Sequence, residues 1–102
     1  IDCGTDVVIE GAEKMTVYGS SDWAERAFCG DCGSHLFYRL KGSGEHMVCA
    51  GLFDAATDND AGLSLRRQVF IDEKPAYYSF AGDREKLTGA ELFARVAAGR
   101  VE

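Results

Sequence analysis

The chain has 102 residues, 46% of them hydrophobic and 11% aromatic, enough apolar material for one small core and too little length for a second. Its 27% of charged residues and single proline exclude a collagen-like or disordered segment. Eleven basic against seventeen acidic residues give a net charge of -6, and without a Lys/Arg cluster nucleic acid and anionic membranes are poor partners. Residues 1–102 are therefore expected to form a single domain. No apolar run approaches the roughly 20 residues that span a bilayer, and Ile1 to Glu10 lacks the basic-then-apolar layout of a signal peptide. The cytoplasm is the expected address. Because the first residue is Ile rather than Met, the chain is expected to begin inside a longer gene product.

Short strands separated by polar turns are expected first, and one helix at the end. Val7, Val8 and Ile9 predict a first strand, Gly11 to Lys14 a turn and Met15 to Tyr18 a second strand, from β-branched and aromatic residues set between turn formers. A third strand, Trp23 to Phe28, leads into the turn Cys29-Gly30-Asp31-Cys32-Gly33. Ser34 to Lys41 leaves it with Leu36, Tyr38 and Leu40 on one face. Gly42-Ser43-Gly44 then turns the chain into His46 to Ala50, so the hairpins predict a meander. Asp54 to Gly62 is small, acidic and turn-forming and reads as a surface loop. Leu65 to Ile71 restores a strand before Pro75 and the cluster Tyr77, Tyr78 and Phe80. Thr88 and Glu91 form a capping-box pair, Leu92, Phe93 and Val96 a helical stripe, and Gly99 a stop. The fold class expected is mainly β: antiparallel hairpins with one C-terminal α-helix.

The sharpest chemical feature is Cys29-x-x-Cys32-Gly33. Thiolates at that spacing can share one soft metal ion, while the glycines let backbone N–H groups turn toward the sulfurs. Zinc is the expected metal. A redox dithiol is the competing chemistry, but thioredoxin-like pairs sit where a strand enters a helix, and here a strand follows. Inert thiols are the third reading. A closed structural zinc site takes four ligands, and this turn supplies half of them. The other cysteines are Cys3 and Cys49 and the histidines His35 and His46, none at ligand spacing with another. Cys49, between Val48 and Ala50, reads as a buried thiol acting as a small hydrophobe. Cys3, beside Gly4, reads as structural, and His35 and His46 as surface histidines on exposed-looking strands. The remaining ligands are expected upstream of Ile1.

Other constellations carry less. Asp58-Asn59-Asp60 resembles the start of a calcium loop, but Gly62 comes one position early and Val69 stands where the bidentate Glu belongs. Gly42-x-Gly44 opens no helix, and Ser20, Ser21 and Ser34 lack an evident His partner. Arg26, three residues before the turn, can hold a carboxylate bidentately, although a plain surface cation is the simpler reading. Tyr77, Tyr78 and Phe80 line a pocket or, more simply, pack against the terminal helix.

The stretch from Ser20 to Arg39, with Trp23, Arg26 and the Cys29-Gly30-Asp31-Cys32-Gly33 turn within it, resembles the glutathione-dependent formaldehyde-activating enzyme family. Ala50 to Asp54, Val69 to Phe80 and Thr88 to Phe93 are similar to that family too, so the resemblance spans nearly the whole chain. It implies a β-tent fold with a structural zinc held by a C-x-C pair near the family's N-terminus and by the pair matching Cys29 and Cys32. It also implies a catalytic zinc in a C-x-C-x-x-C cluster between those pairs. Neither of those further motifs matches this sequence, so no catalytic residue is carried over, and these residues alone are expected to be inactive in the family's chemistry. That chemistry is a carbon–sulfur lyase reaction, the reversible addition of glutathione thiol to formaldehyde or a related aldehyde, with Arg26 receiving a glutathione carboxylate. The alternative is a zinc-stapled binding or scaffold module without activity. A homodimer through an exposed sheet edge belongs to that scaffold reading.

Overall fold

The computed structural model describes residues 1–53 and 63–99; the loop expected over Asp54 to Gly62, with its calcium-like start, lies outside them. The chain separates into two compact units, Ile1–Ala61 and Gly62–Glu102.

In the first unit Gly11, at φ 75°, starts a single 3-10 turn, Ala12–Lys14, that feeds a four-stranded antiparallel meander. Its strands are β1 (Met15–Tyr18), β2 (Ala24–Cys29), β3 (His35–Leu40) and β4 (His46–Val48), in the order β1-β2-β3-β4. Val17, Ala27, Phe37 and Val48 stand in one row across all four strands, and Tyr18, Arg26, Tyr38 and Met47 in the next. Alternation along a strand sends adjacent rows to opposite faces. Ala24 and Ala27 have no exposure and Phe37 is buried; Ala27, small and set between Val17 and Phe37 on the flanking strands, is covered by its cross-strand neighbours. On the face of Ala27, Glu25 pairs with Arg39, whose guanidinium lies over the Phe37 ring.

The strand expected at Val7–Ile9 does not form, and Val8 is 87% exposed. β propensity is realised only against a partner, and the edge of β4 is taken by the chain's first residues instead. Asp2 bridges to Met47, the Cys3 N–H donates to the His46 carbonyl and the Val48 N–H to the Ile1 carbonyl, both at 2.8 Å. This edge also overturns the surface reading of His46. Its side chain is buried, its ring lies 4.9 Å from that of Phe37, and Nδ1 stands 3.2 Å from the Gly4 carbonyl oxygen. Cys49, expected to be buried, is exposed, because β4 ends at Val48 and the chain enters a 3-10 turn at Ala50–Leu52.

The second unit pairs β5 (Arg67–Val69) with β6 (Glu85–Leu87) in parallel, where hairpins were expected throughout. Parallel pairing requires a crossover. Here it runs through a 3-10 turn, Ile71–Glu73, and the aromatic residues. β6, with Leu87 its one buried apolar side chain, is too short to register as a periodic pattern. Tyr77, Tyr78 and Phe80 pack on one another, with ring centroids 5.4 and 6.1 Å apart.

Helix α1 (Gly89–Ala97) begins with the expected capping box. Thr88 Oγ1 accepts from the Glu91 N–H at 3.1 Å, and Glu91 Oε1 from the Thr88 N–H at 2.9 Å. Gly99, at φ 73°, follows its last turn. Phe93 meets Phe70 edge-on at 5.8 Å, and Asp72 Oδ1 accepts from the Gly89 N–H at 2.9 Å. Phe70 adopts a left-handed φ of 56°, and its ring fills the space where a side chain on Gly89 would stand. A Cβ there would lie 2.7 Å from the ring. Arg95 grips Glu85 through both nitrogens, at 2.9 and 2.6 Å, and Arg67 approaches the same carboxylate at 3.7 Å.

Gly89→Ala is expected to lower the urea midpoint of unfolding by the equivalent of about 1–3 kcal/mol, because overpacking against Phe70 outweighs the gain in helix propensity; a raised midpoint would show that the ring moves aside freely. Hydrogen bonds from Arg95 hold the Glu85 carboxyl below its ordinary range. A depressed carboxylate stabilises the fold above its unfolded pKa of about 4.3 and ceases to do so as pH falls through the folded value. Acid should therefore weaken the wild type more steeply than Glu85→Gln in urea titrations run at descending pH.

Candidate functional site

Chain reversal between β2 and β3 builds the site. Cys29 ends β2, its N–H donating to the Ser34 carbonyl at 2.9 Å, while the Gly33 N–H returns to the Cys29 carbonyl at 2.8 Å. Gly33 sits at φ 79°, a conformation that a Cβ makes costly. Gly30 is required for a different reason. Its N–H donates to the Lys14 carbonyl at 2.8 Å, and a Cβ would stand 3.0 Å from that oxygen and 3.1 Å from Thr16 Oγ1. The turn is thus docked against the entry to β1. It brings Cys29, half-buried, and Cys32, exposed, to one tip, both as free thiols.

Ser34 Oγ lies 3.2 Å from Cys32 Sγ. Hydrogen bonds from the Ser34 hydroxyl, then from its backbone N–H and from Cys29, hold the Cys32 thiol below its ordinary pKa, against a smaller opposing effect of Asp31. The hydroxyl accepts from the thiol and turns to donate to the thiolate, so the charged form gains most. Ser34, read from the sequence only as a serine without a His, acts here through its position two residues beyond Cys32.

Two cysteines on a glycine-shaped turn, the thiolate of Cys32 favoured by its hydrogen bonds, fit the donor chemistry of a soft divalent metal. The number of donors is half of a closed tetrahedral set: among the described residues no three His, Cys, Asp or Glu side chains come together as a metal site. The Cys3 N–H donates to the His46 carbonyl at the β4 edge, Cys49 is exposed beyond β4, and His35 opens β3 beside the turn, half-buried and paired with Phe28.

Arg26 stands on the opposite face of β2 from Cys29, since the residues are three apart on an alternating strand. It is exposed and stacks over the Tyr38 ring at 5.0 Å, with Tyr18 across from it on β1. None of the ion pairs among the described residues engages it. Stacking uses the guanidinium face and leaves its in-plane N–H groups for a carboxylate.

Over 81 residues the chain is 33% identical to a protein of Schizosaccharomyces pombe named as an uncharacterized lyase. The match covers 78% of this chain and 56% of that protein, so the chain spans little more than half the length of this relative. No family model and no solved structure matches the chain. No helix among the described residues is long and apolar enough to cross a membrane.

Ser34→Ala is expected to raise the pH at which metal-free Cys32 becomes alkylated, since one donor to its thiolate is removed and the backbone N–H is left. Site-resolved mass spectrometry of iodoacetamide adducts across pH reads the midpoint, and an unmoved one would show that the hydroxyl does not hold the thiolate.

Proposed function

We propose that this chain forms the zinc-stapled part of a carbon–sulfur lyase whose intact gene product joins the thiol of glutathione to formaldehyde or a related small aldehyde and reverses that addition. The observation that carries the reading is the Cys29–Cys32 turn, with its Cys32 thiol hydrogen-bonded to Ser34, in a chain 33% identical over 81 residues to a protein named as an uncharacterized lyase. Cys29 and Cys32 would hold the zinc together with donors from outside the described residues. Bound there, zinc would supply structural cross-linking of β2 to β3.

In this reading the substrate face is the other side of the sheet. Arg26, stacked on Tyr38, would take a glutathione carboxylate in its plane and orient the tripeptide. In the addition, the thiol gives up its proton, a sulfur lone pair forms the C–S bond at the carbonyl carbon, the π pair moves to oxygen, and that oxygen takes up a proton. The lyase direction removes the hydroxyl proton, re-forms the carbonyl, breaks the C–S bond with its pair returning to sulfur, and gives sulfur a proton. A reducing cytoplasm suits both reduced glutathione and the free cysteines of this chain.

Metal analysis of the intact gene product should find zinc in the wild type and its loss in Cys29→Ser/Cys32→Ser, together with a lower melting temperature. Exchange NMR of glutathione with formaldehyde should run faster than the uncatalysed reaction. Arg26→Ala should raise KM for glutathione about tenfold with kcat little changed, the pattern of a binding contact made equally in ground and transition states. A zinc-free protein of unaltered stability would remove the staple, and exchange at the solution rate would remove the lyase.

A further inference from the structure

One edge of the meander is closed and the other is open. Beside β4 the chain's own Ile1, Asp2 and Cys3 fill the ladder positions. β1 ends the opposite side of the order β1-β2-β3-β4, and among the described residues no segment pairs with its outer edge.

The ladder itself tells which backbone groups that edge offers. The Gly30 N–H donates to the Lys14 carbonyl, and Gly30 continues the register that sets Met15 opposite Cys29. Lys14–Gly30 is therefore a hydrogen-bonded pair, and the alternation of an antiparallel ladder makes Thr16–Phe28 and Tyr18–Arg26 the next two. The Cys29 N–H and carbonyl agree with this, since both turn away from β1, to Ser34 and Gly33. Met15 and Val17 accordingly point their polar backbone groups outward. The Met15 N–H is taken by the Ala12 carbonyl, which leaves the Met15 carbonyl and both groups of Val17.

Open edges in natural sheets are ordinarily blunted by a charge, a proline or a bulge. β1, Met-Thr-Val-Tyr, carries none of these; its register with β2 is unbroken, and Val17 is 43% and Tyr18 63% exposed. The strand is also complementary to itself. With Val17 opposite its own counterpart, Thr16 meets Tyr18, Met15 meets Gly19, Lys14 meets Ser20 and Glu13 meets Ser21. No charge then faces another of its own sign, in a chain whose net charge of -6 would otherwise oppose self-association. Lys14 of each copy comes beside the turn of the other that carries Asp22. A register centred on Thr16 would instead draw on the Met15 N–H, which is already engaged.

We propose that β1 pairs antiparallel with β1 of a second copy across a two-fold axis at Val17, joining two four-stranded meanders into one continuous sheet. Each Val17 N–H donates to the Val17 carbonyl of the other copy, and each Gly19 N–H to the other Met15 carbonyl. Thr16 of the second copy comes opposite Tyr18, extending the row that holds Arg26 and Tyr38. A single seam between two strands covers less area than a standard interface, so the dimer dissociates on dilution.

Sedimentation equilibrium of the intact gene product over a dilution series should show a mass that falls from that of two chains toward that of one. Val17→Pro removes an outward N–H and no bond to β2, so it should keep the wild-type circular dichroism and weaken dimerisation at least about tenfold. In the wild type the Val17 amide should exchange with deuterium more slowly as concentration rises. Three results would overturn the proposal: a single-chain mass throughout, an undiminished dimer in folded Val17→Pro, or a Val17 exchange rate independent of concentration, whether fast or protected by another segment. Should the variant not fold, the mass and the amide exchange of the wild type decide. Neither readout involves catalysis, so failure of the lyase reading leaves this test intact.

Discussion

Between Cys29 and Ser34 the backbone closes on itself through two hydrogen bonds and a left-handed Gly33, and the first unit takes its form from that closure. With the Cys29 N–H and carbonyl both engaged within the turn, β2 and β3 enter their ladder with Phe28 opposite His35, and a one-residue bulge at Leu36 then sets Ala27 opposite Phe37. The same closure sends Cys29 and Cys32 to a common tip. Gly30, pressed on the Lys14 carbonyl, transmits it to β1. Structure and chemistry here share one cause: the glycines that permit a tight reversal also leave N–H groups and a hydroxyl near the sulfurs.

A staple at that place would answer a need visible in the core. The buried apolar residues among those described are Ala24, Ala27, Phe37 and Leu87, and no large side chain is completely buried. Domains of this size commonly add metals or disulfides because apolar burial alone offsets the entropy of ordering the chain only narrowly. All described cysteines are free, and the zinc of the proposed function would be such a staple.

The second unit solves the same problem with interlocked side chains. Phe70 accepts an unfavourable backbone conformation and places its ring where Gly89 alone leaves room. Asp72 meanwhile binds the first N–H of the helix, and Glu85 joins α1 to both strands through Arg95 and Arg67. These contacts position the helix while leaving Phe93 and Val96 about half exposed. They also leave Gln68 as a buried polar residue in a strand where an aliphatic side chain would be cheaper, a local inconsistency of the kind associated with function.

Several features were legible because each is settled within a few consecutive residues. The Cys29–Cys32 spacing, the Thr88–Glu91 capping box, the Gly99 stop and the hairpins around Gly33 and Gly44 follow from local chemistry and from conformations that glycine tolerates. Pairing partners were not so determined. Val7–Ile9 has strand-forming residues but finds no partner, while Ile1–Gly4, without a strand pattern, takes the β4 edge. The parallel join of β5 to β6, the burial of His46 and Gln68, the exposure of Cys49 and the seat of Phe70 on Gly89 all depend on residues distant in sequence. Local composition therefore determined which turns, caps and closely spaced thiols the chain possesses. Tertiary structure alone decided which polar groups are enclosed and which faces meet, since burial and register are properties of pairs of segments and no single segment encodes its partner.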